Sequence, residues 1–441
     1  MPLKKFVLLT LLLSQIVTSQ NGFQFDTRKK SMSFRFEWVG NLIIIPVQMN
    51  GVSLHFLLDT GVSETILFSL DDEDNVSFNT LEKVSLRGFG TKEPFDAYQS
   101  KHNTLRIKNY VDTDHLIYLV LDQNISLSER IGVPVNGILG YSFFKNALVK
   151  INFSSKKITL YKDPKLIENM ESRFEKIPME IINNKPYISS PSFFENDTSV
   201  TGKFLVDTGN SDALWLFKNQ NDSITLPSKK IYDYLGRGIS GDVFGMRGTI
   251  PKFILGKTTL FNPLVSFPDS ETMGSYFVLD RIGSIGTEIL RRFTLYFSYE
   301  TQALYVKKNS SFNDRYTYNC AGIEIQHQGL QWIKEGFEAN PAVQKLLFDA
   351  EGNRIEKNLT YQFSLKPLYF ISRVREHSKA QSIGLEANDQ LVSINNRPAY
   401  SYTLQEINHL LQAGEGKKVT LEVNRKGKTL YFDLLLEDDL K

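Results

Sequence analysis

The 441-residue chain has one cysteine, Cys320, so no disulfide can form within it. A chain of this length builds a core large enough to hold without covalent cross-links. Histidine is also scarce. His55, His102, His115, His327, His377 and His409 are scattered, with no HExxH or Cys/His cluster, so neither a metal site nor a cofactor is expected. Neither sign of charge is in excess: 51 Lys and Arg stand against 49 Asp and Glu. That balance speaks against a nucleic-acid partner or a charged membrane surface. Beyond the amino terminus no apolar run is long enough for a bilayer-spanning helix, so no span is expected in the mature chain.

The amino terminus, MPLKKFVLLTLLLSQIVTSQ, has a basic start at Lys4 and Lys5, an apolar run from Phe6 to Val17, and a small residue, Ser19, at a cleavage position. The run is shorter than the ~20 residues a helical span needs. Residues 1–19 therefore read as a secretory signal peptide, and the chain is expected to be exported: periplasmic, cell-surface or secreted. Without Lys4 and Lys5 the two signs of charge are equal.

Two tripeptides carry most of the remaining information. Asp59-Thr60-Gly61 lies in FLLDTGVSETILF and Asp207-Thr208-Gly209 in FLVDTGNSDALWLF. Each ends an apolar run, as a buried strand opening into a tight turn does. Two carboxyls delivered this way can meet and share one proton, because like charges about 3 Å apart cannot both ionise. Such a pair can activate water against a peptide carbonyl by general acid–base catalysis.

The flanks repeat as well. NLIIIPVQMNGVSLHFLLD precedes the first tripeptide, with Asn50-Gly51 as a strong hairpin signal. PYISSPSFFENDTSVTGKFLVD precedes the second. Downstream, NGILGYSFFKNALVKINFSSKKITLY matches RIGSIGTEILRRFTLYFSYETQALYV. Gly140 follows Asp59 by 81 residues and Gly286 follows Asp207 by 79. Agreement at two separated places points to a duplicated lobe.

These motifs resemble the two-lobed, pepsin-like and retropepsin-like aspartic proteases over roughly residues 30 to 310, and DTGNSDALW is especially close to the family's DTG-x-S-x-x-x-W run. The resemblance implies a mainly β chain with two β-barrel lobes, residues 24–165 and 170–312, and a cleft between them. It implies Asp59 and Asp207 as catalytic residues of an endopeptidase. Gly61 and Gly209 are expected to permit close backbone approach and positive φ. Thr60 and Thr208 are expected to bond across the lobes. Ile138-Leu139-Gly140 and Ser284-Ile285-Gly286 are expected to pack beneath the loops, Ser284 being polar where the first copy has Ile138. Val62 stands where pepsin-like enzymes often place a hydroxyl donor to the carboxylate, and Asn210 is its counterpart. Without that donor the pair's pKa should rise, and activity should extend toward neutral pH. Flap candidates are Gly88, Phe89 and Gly90, with Gly236 to Gly241 as a second choice and Tyr98 as a flap tyrosine. Two copies in one chain predict a monomer acting on protein or peptide substrates.

Composition shifts after about residue 312, where SFNDRYTYN reads as a linker. The segment from Leu365 to about residue 437 orders as strand, short helix, strand, Asn-Asn turn, helix and two hairpin strands. The run from Ser378 to Asn395 resembles a PDZ domain, with Asn388 in place of the usual Gly. The resemblance implies an α+β module within 320–441 that binds extended or C-terminal peptides by strand addition, with Leu368, Tyr369, Phe370 and Ile371 as carboxylate loop and groove strand. The protease-plus-PDZ pairing suggests a bacterial envelope or secreted protein. Two other readings use the same residues: a binding protein that kept the lobes without catalysis, and an adaptor acting through its C-terminal groove. Intact Asp59 and Asp207 favour the enzyme.

Overall fold

In the computed structural model, residues 22–70, 76–86, 95–120, 127–238, 241–270, 280–337, 360–412 and 414–441 are described. The leader and the glycines of the first flap candidate lie outside them. No described helix is long and apolar enough to cross a membrane.

The Asn50-Gly51 signal forms its hairpin. Both residues have positive φ, at 46° and 93°, as a two-residue turn matched to strand twist requires. The turn joins Leu42–Met49 to Val52–Leu58 with Ile45 opposite Phe56 and Val47 opposite Leu54. Val52–Leu58, which ends at Asp59, then pairs in parallel with Gly137–Leu139, and that strand pairs with Thr65–Leu67. The strand bearing Asp59 thus lies inside a nine-stranded sheet, clamped from both sides.

The second half repeats this plan. Lys185–Phe193 pairs with Ser199–Val206, which ends at Asp207. Ser199–Val206 runs parallel to Arg281–Ile285, which pairs with Leu214–Leu216 inside a ten-stranded sheet.

A third sheet joins the halves. Leu148–Asn152 of the first pairs with Phe293–Ser298 of the second, placing Ile151 opposite Leu295. Lys157–Tyr161 and Ala303–Lys308 flank this seam, and Ser31–Arg35 and Glu175–Pro178 complete its six strands. These are the paired endings of the two repeats. Phe144 stacks on Tyr299 across the seam at 5.4 Å, so one continuous apolar core runs through both halves.

The linker is pinned rather than loose. Arg292, 1% exposed, donates to the carbonyls of Phe312 and Asp314 and lies over the Tyr316 ring. Beyond it, the C-terminal sheet runs in the order Ile323–Phe337, Thr360–Val374, Gln390–Ile394, Lys418–Arg425 and Lys428–Leu435. Helix Leu404–Leu411 begins with a capping box between Thr403 and Glu406. Asn388 adopts a φ of 71°, a conformation Asn tolerates better than other side chains, which accounts for its replacing glycine. Beside it, buried Asp389 receives two hydrogen bonds from Arg425 at 2.6 and 2.7 Å. Cys320 is a buried free thiol, pushed up to about 11 by that burial.

Candidate active site

The two Asp-Thr-Gly loops meet where the sheets abut. Thr60 N donates to Thr208 Oγ1 at 3.0 Å, and Thr208 N donates to Thr60 Oγ1 at 2.9 Å. Each hydroxyl passes its own proton across to the opposite strand: Thr60 to Val206 O at 2.6 Å, Thr208 to Leu58 O at 2.8 Å. Both threonines are wholly buried. The four bonds fix the loops relative to each other and leave Asp59 and Asp207 facing one another.

Each carboxylate also accepts a hydrogen bond from its own loop, from Gly61 N to Asp59 at 2.6 Å and from Gly209 N to Asp207 at 3.1 Å. The glycines are needed for space, and not for positive φ as expected, since neither has one. A Cβ at Gly209 would sit 2.2 Å from the Asp59 carboxyl, and one at Gly61 would sit 2.8 Å from Asp207 Oδ1. Gly140 and Gly286 serve the same end one layer down, against the carbonyls of Val62 and Asp212. Ile138, Leu139 and Ile285 are buried beneath the loops.

Burial drives both carboxyls above the usual carboxylate range. For Asp59 the charge of Asp207 adds to that rise. For Asp207 the guanidinium of Arg281 opposes it. Paired carboxyls raised in this way hold a shared proton at pH values where isolated ones are ionised. Val62 is a partly buried apolar neighbour and offers no donor. Asn210 turns its side chain to its own loop, where Oδ1 accepts from Asp212 N at 2.9 Å.

Contacts beyond the motifs brace the site. The hairpin tips cross over: Asn41 Nδ2 donates to Ser211 O, and Ser63 Oγ donates to Asn183 O. Asp212 accepts from Trp215 Nε1, Ser266 Oγ and Arg247 Nη1 at 2.7, 2.7 and 3.0 Å. This bond explains the tryptophan of the DTGNSDALW run. Arg247 also binds Asp233 at 3.0 Å, and Arg375 of the C-terminal module reaches Asp233 at 3.6 Å. Sequence reading missed Arg247, Asp233 and Arg375, which lie far apart along the chain and carry no local pattern. His115 is a structural histidine, buried between Asp112 and Thr65 at 2.6 and 2.7 Å.

Gly88, Phe89 and Gly90 lie outside the described residues, while the strands on either side, Glu82–Leu86 and Phe95–Ile107, pair as an antiparallel hairpin. Tyr98 is on the second of these strands, partly buried against the core. Gly236 and Gly241 belong to an equivalent hairpin in the second half, Lys230–Gly238 with Gly241–Thr249, and Ile239 and Ser240 fall outside the described residues.

The family comparisons cover parts of both regions. Residues 45–143 match a model described as aspartyl protease, and residues 370–425 match one described as PDZ domain. The chain carries an aspartyl protease domain and a PDZ domain. The protease match takes in the Asp59 loop, and the Asp207 loop rests on the internal repeat and its geometry. No curated protein matches the chain.

The PDZ strand carrying Leu368, Tyr369, Phe370 and Ile371 corrects one expectation. Ile323–Phe337 occupies one edge, with His327, Gln326 and Ile325 beside Tyr369, Phe370 and Ile371, and the other edge is held at Phe370 by Gln390 and at Ile371 by Asn388 and Asp389. A peptide cannot add at Phe370 and Ile371, where both edges are paired. The outer strand of the PDZ sheet on that side is Ile323–Phe337, and helix Leu127–Ile131 of the protease domain packs against it. The PDZ domain is further held by Gln405 Nε2 donating to Trp38 O, and by Arg373, which pairs with Asp242 and lies over the Tyr234 ring.

Proposed function

We propose that this chain is an exported aspartic endopeptidase in which Asp59 and Asp207 together activate a water molecule. The observation that carries the reading is the threonine lattice, which sets the two carboxyls face to face within one polypeptide. A water between them gives a proton to the ionised carboxylate as its oxygen bonds to the scissile carbonyl carbon. The protonated carboxyl gives its hydrogen to the carbonyl oxygen. The resulting gem-diol collapses, the C–N bond breaks and the amine leaves with a proton. The pair titrates as a unit, so neither residue has a fixed role in the free enzyme. Raised carboxyls, and a hydrocarbon at Val62, support activity reaching toward neutral pH.

A single chain holding both aspartates needs no partner copy, so the enzyme acts as a monomer. Its substrates are proteins or peptides, and the PDZ domain contributes peptide binding. Export rests on the leader, and amino-terminal sequencing of the secreted chain should begin near residue 20. The decisive experiment is cleavage of a mixed peptide library by the full chain, with Asp59→Asn and Asp207→Asn each abolishing it while leaving the circular dichroism unchanged. Turnover that survives either change would refute the mechanism. A folded wild-type chain that cleaves nothing would favour a binding protein built on the same lobes.

A further inference from the structure

The residues beside the two aspartates differ in kind between the halves. In the second half, Leu205 stands in register with Tyr187 on one side and Ser284 on the other, and Ser284 with Trp215. Residues in register share a sheet face, as do residues two apart on a strand. Asp207, two past Leu205, and Lys185, two before Tyr187, therefore belong to this face. The same positions in the first half are Leu57, Ile44, Ile138, Ile66 and Leu42. All five are hydrocarbon; Leu57, Ile44, Ile138 and Ile66 are buried, and Leu42 is partly buried against them. One side of the pair is lined by hydrocarbon, while the other keeps Leu205 and Trp215 and adds Lys185, Tyr187 and Ser284.

A third polar group joins the second side. The pairing of Ser199–Val206 with Arg281–Ile285 slips by one residue at Lys203/Phe204, and such a bulge re-aims the side chain beside it. Arg281 turns onto the Ser284 face. Its Nη2 donates to Ser284 Oγ at 2.6 Å, its Nε to Gly283 O at 3.2 Å, and the guanidinium lies over the Phe217 ring. Among the described residues, Nη1 has no hydrogen-bond partner, and neither Arg281 nor Lys185 has a carboxylate within ion-pair distance. Arg281 is within electrostatic reach of Asp207, and Lys185 of both aspartates. Part-buried cations without a close ion pair are costly, and a guanidinium with a free edge binds a carboxylate through two parallel hydrogen bonds.

We propose that the cleft beside Asp207 holds a subsite for an acidic side chain, with Arg281 as the specificity-determining residue and Lys185 as a second cation at its edge. This rests on the protease reading and gives it a substrate class: peptides with Asp or Glu at one of the two residues flanking the scissile bond, and an apolar residue at the other.

The test compares kcat/KM of the full chain on matched peptides carrying Glu, Gln, Leu or Lys at each flanking position. At one position Glu should exceed its isostere Gln by about ten-fold or more, the scale of a charge-assisted pair. Arg281→Met should erase that ratio. Arg281→Glu should invert it in favour of Lys, a gain that misfolding cannot produce. If Arg281 only tunes the charge of Asp207, the variants will move the pH profile equally for all peptides and leave the Glu/Gln ratio alone, which overturns the subsite. Cleavage without acidic preference overturns it too, and leaves the protease standing. If nothing is cleaved, the protease reading fails separately. Calorimetry with statine-containing peptides bearing Glu or Gln then decides, and equal or absent binding refutes the subsite.

Discussion

Removing one hydroxyl tests the threonine lattice directly. Thr60→Val keeps the shape of the side chain and deletes its Oγ1. Two buried groups lose their bonds at once: Val206 O, which accepts at 2.6 Å, and Thr208 N, which donates at 2.9 Å. Both threonines are 0% exposed, so the orphaned groups cannot turn to solvent. A buried polar group left unpaired costs about 1–3 kcal/mol, so the variant should lose roughly 2–6 kcal/mol. Thr208→Val should cost a similar amount, since its hydroxyl makes the mirrored bonds to Leu58 O and Thr60 N. The double variant should cost less than the sum, because the contact between the two hydroxyls at 3.4 Å is already lost in either single variant. Urea unfolding followed by tryptophan fluorescence measures this. Trp38 and Trp215 report on the two halves and Trp332 on the C-terminal region, which matters because a multidomain chain need not unfold in one step. Proteolysis gives a second readout, since a misplacement of about 1 Å costs on the order of 10²-fold in rate. A loss under about 1 kcal/mol with unimpaired cleavage would refute the idea that these hydroxyls hold the aspartates together.

Three further outcomes follow from other contacts. Val62→Ser places a donor beside the carboxyl pair and should move the acid limb of the rate profile to lower pH; an unmoved limb counts against the role given to Val62. Burial raises both carboxyls, so the folded pair keeps protons that the unfolded chain releases, and its contribution to stability is lost as pH climbs above the ordinary carboxylate range. Asp59→Asn removes the like charge, so urea midpoints at rising pH should fall less steeply than in the parent chain, and parallel curves would contradict this. Arg375→Met should strip the PDZ domain of its tie to Asp233 and speed limited proteolysis between the domains; in a cycle with Asp233→Asn the coupling should exceed about 0.5 kcal/mol, and strict additivity would show the pair to be incidental.

Much of the architecture was legible because its signals are local. Asn50-Gly51 announces a turn that only residues tolerant of positive φ can make, and the alternation around it sets the register. The repeat placed Ile138-Leu139-Gly140 beneath the Asp59 loop, but the parallel pairing of Gly137–Leu139 with Val52–Leu58 was not legible, since no local pattern gives it. The aspartates, threonines and glycines were legible from their triplets, although Gly61 and Gly209 serve close approach and not φ. Lys185 and Arg281 were not, since their strands come together only through Ser199–Val206 between them. The PDZ groove was misplaced for a related reason. The residues around Leu368 announce a strand, but which edge stays open depends on Ile323–Phe337, whose pairing spans a long insertion. Asp233, Arg247 and Arg375 form a bridge from three distant parts of the chain, and charge alone gives no hint of partners.

Tandem construction has a consequence for how such a cleft can change. Were the halves identical subunits, every mutation would appear twice, and a guanidinium could stand on both flanks of the water or on neither. Here Ile138 and Ser284, or Leu42 and Lys185, are separate codons. Each flank is free to drift on its own, provided the shared seam and the central hydroxyls are kept, and a pocket of one chemical character can arise opposite a pocket of another.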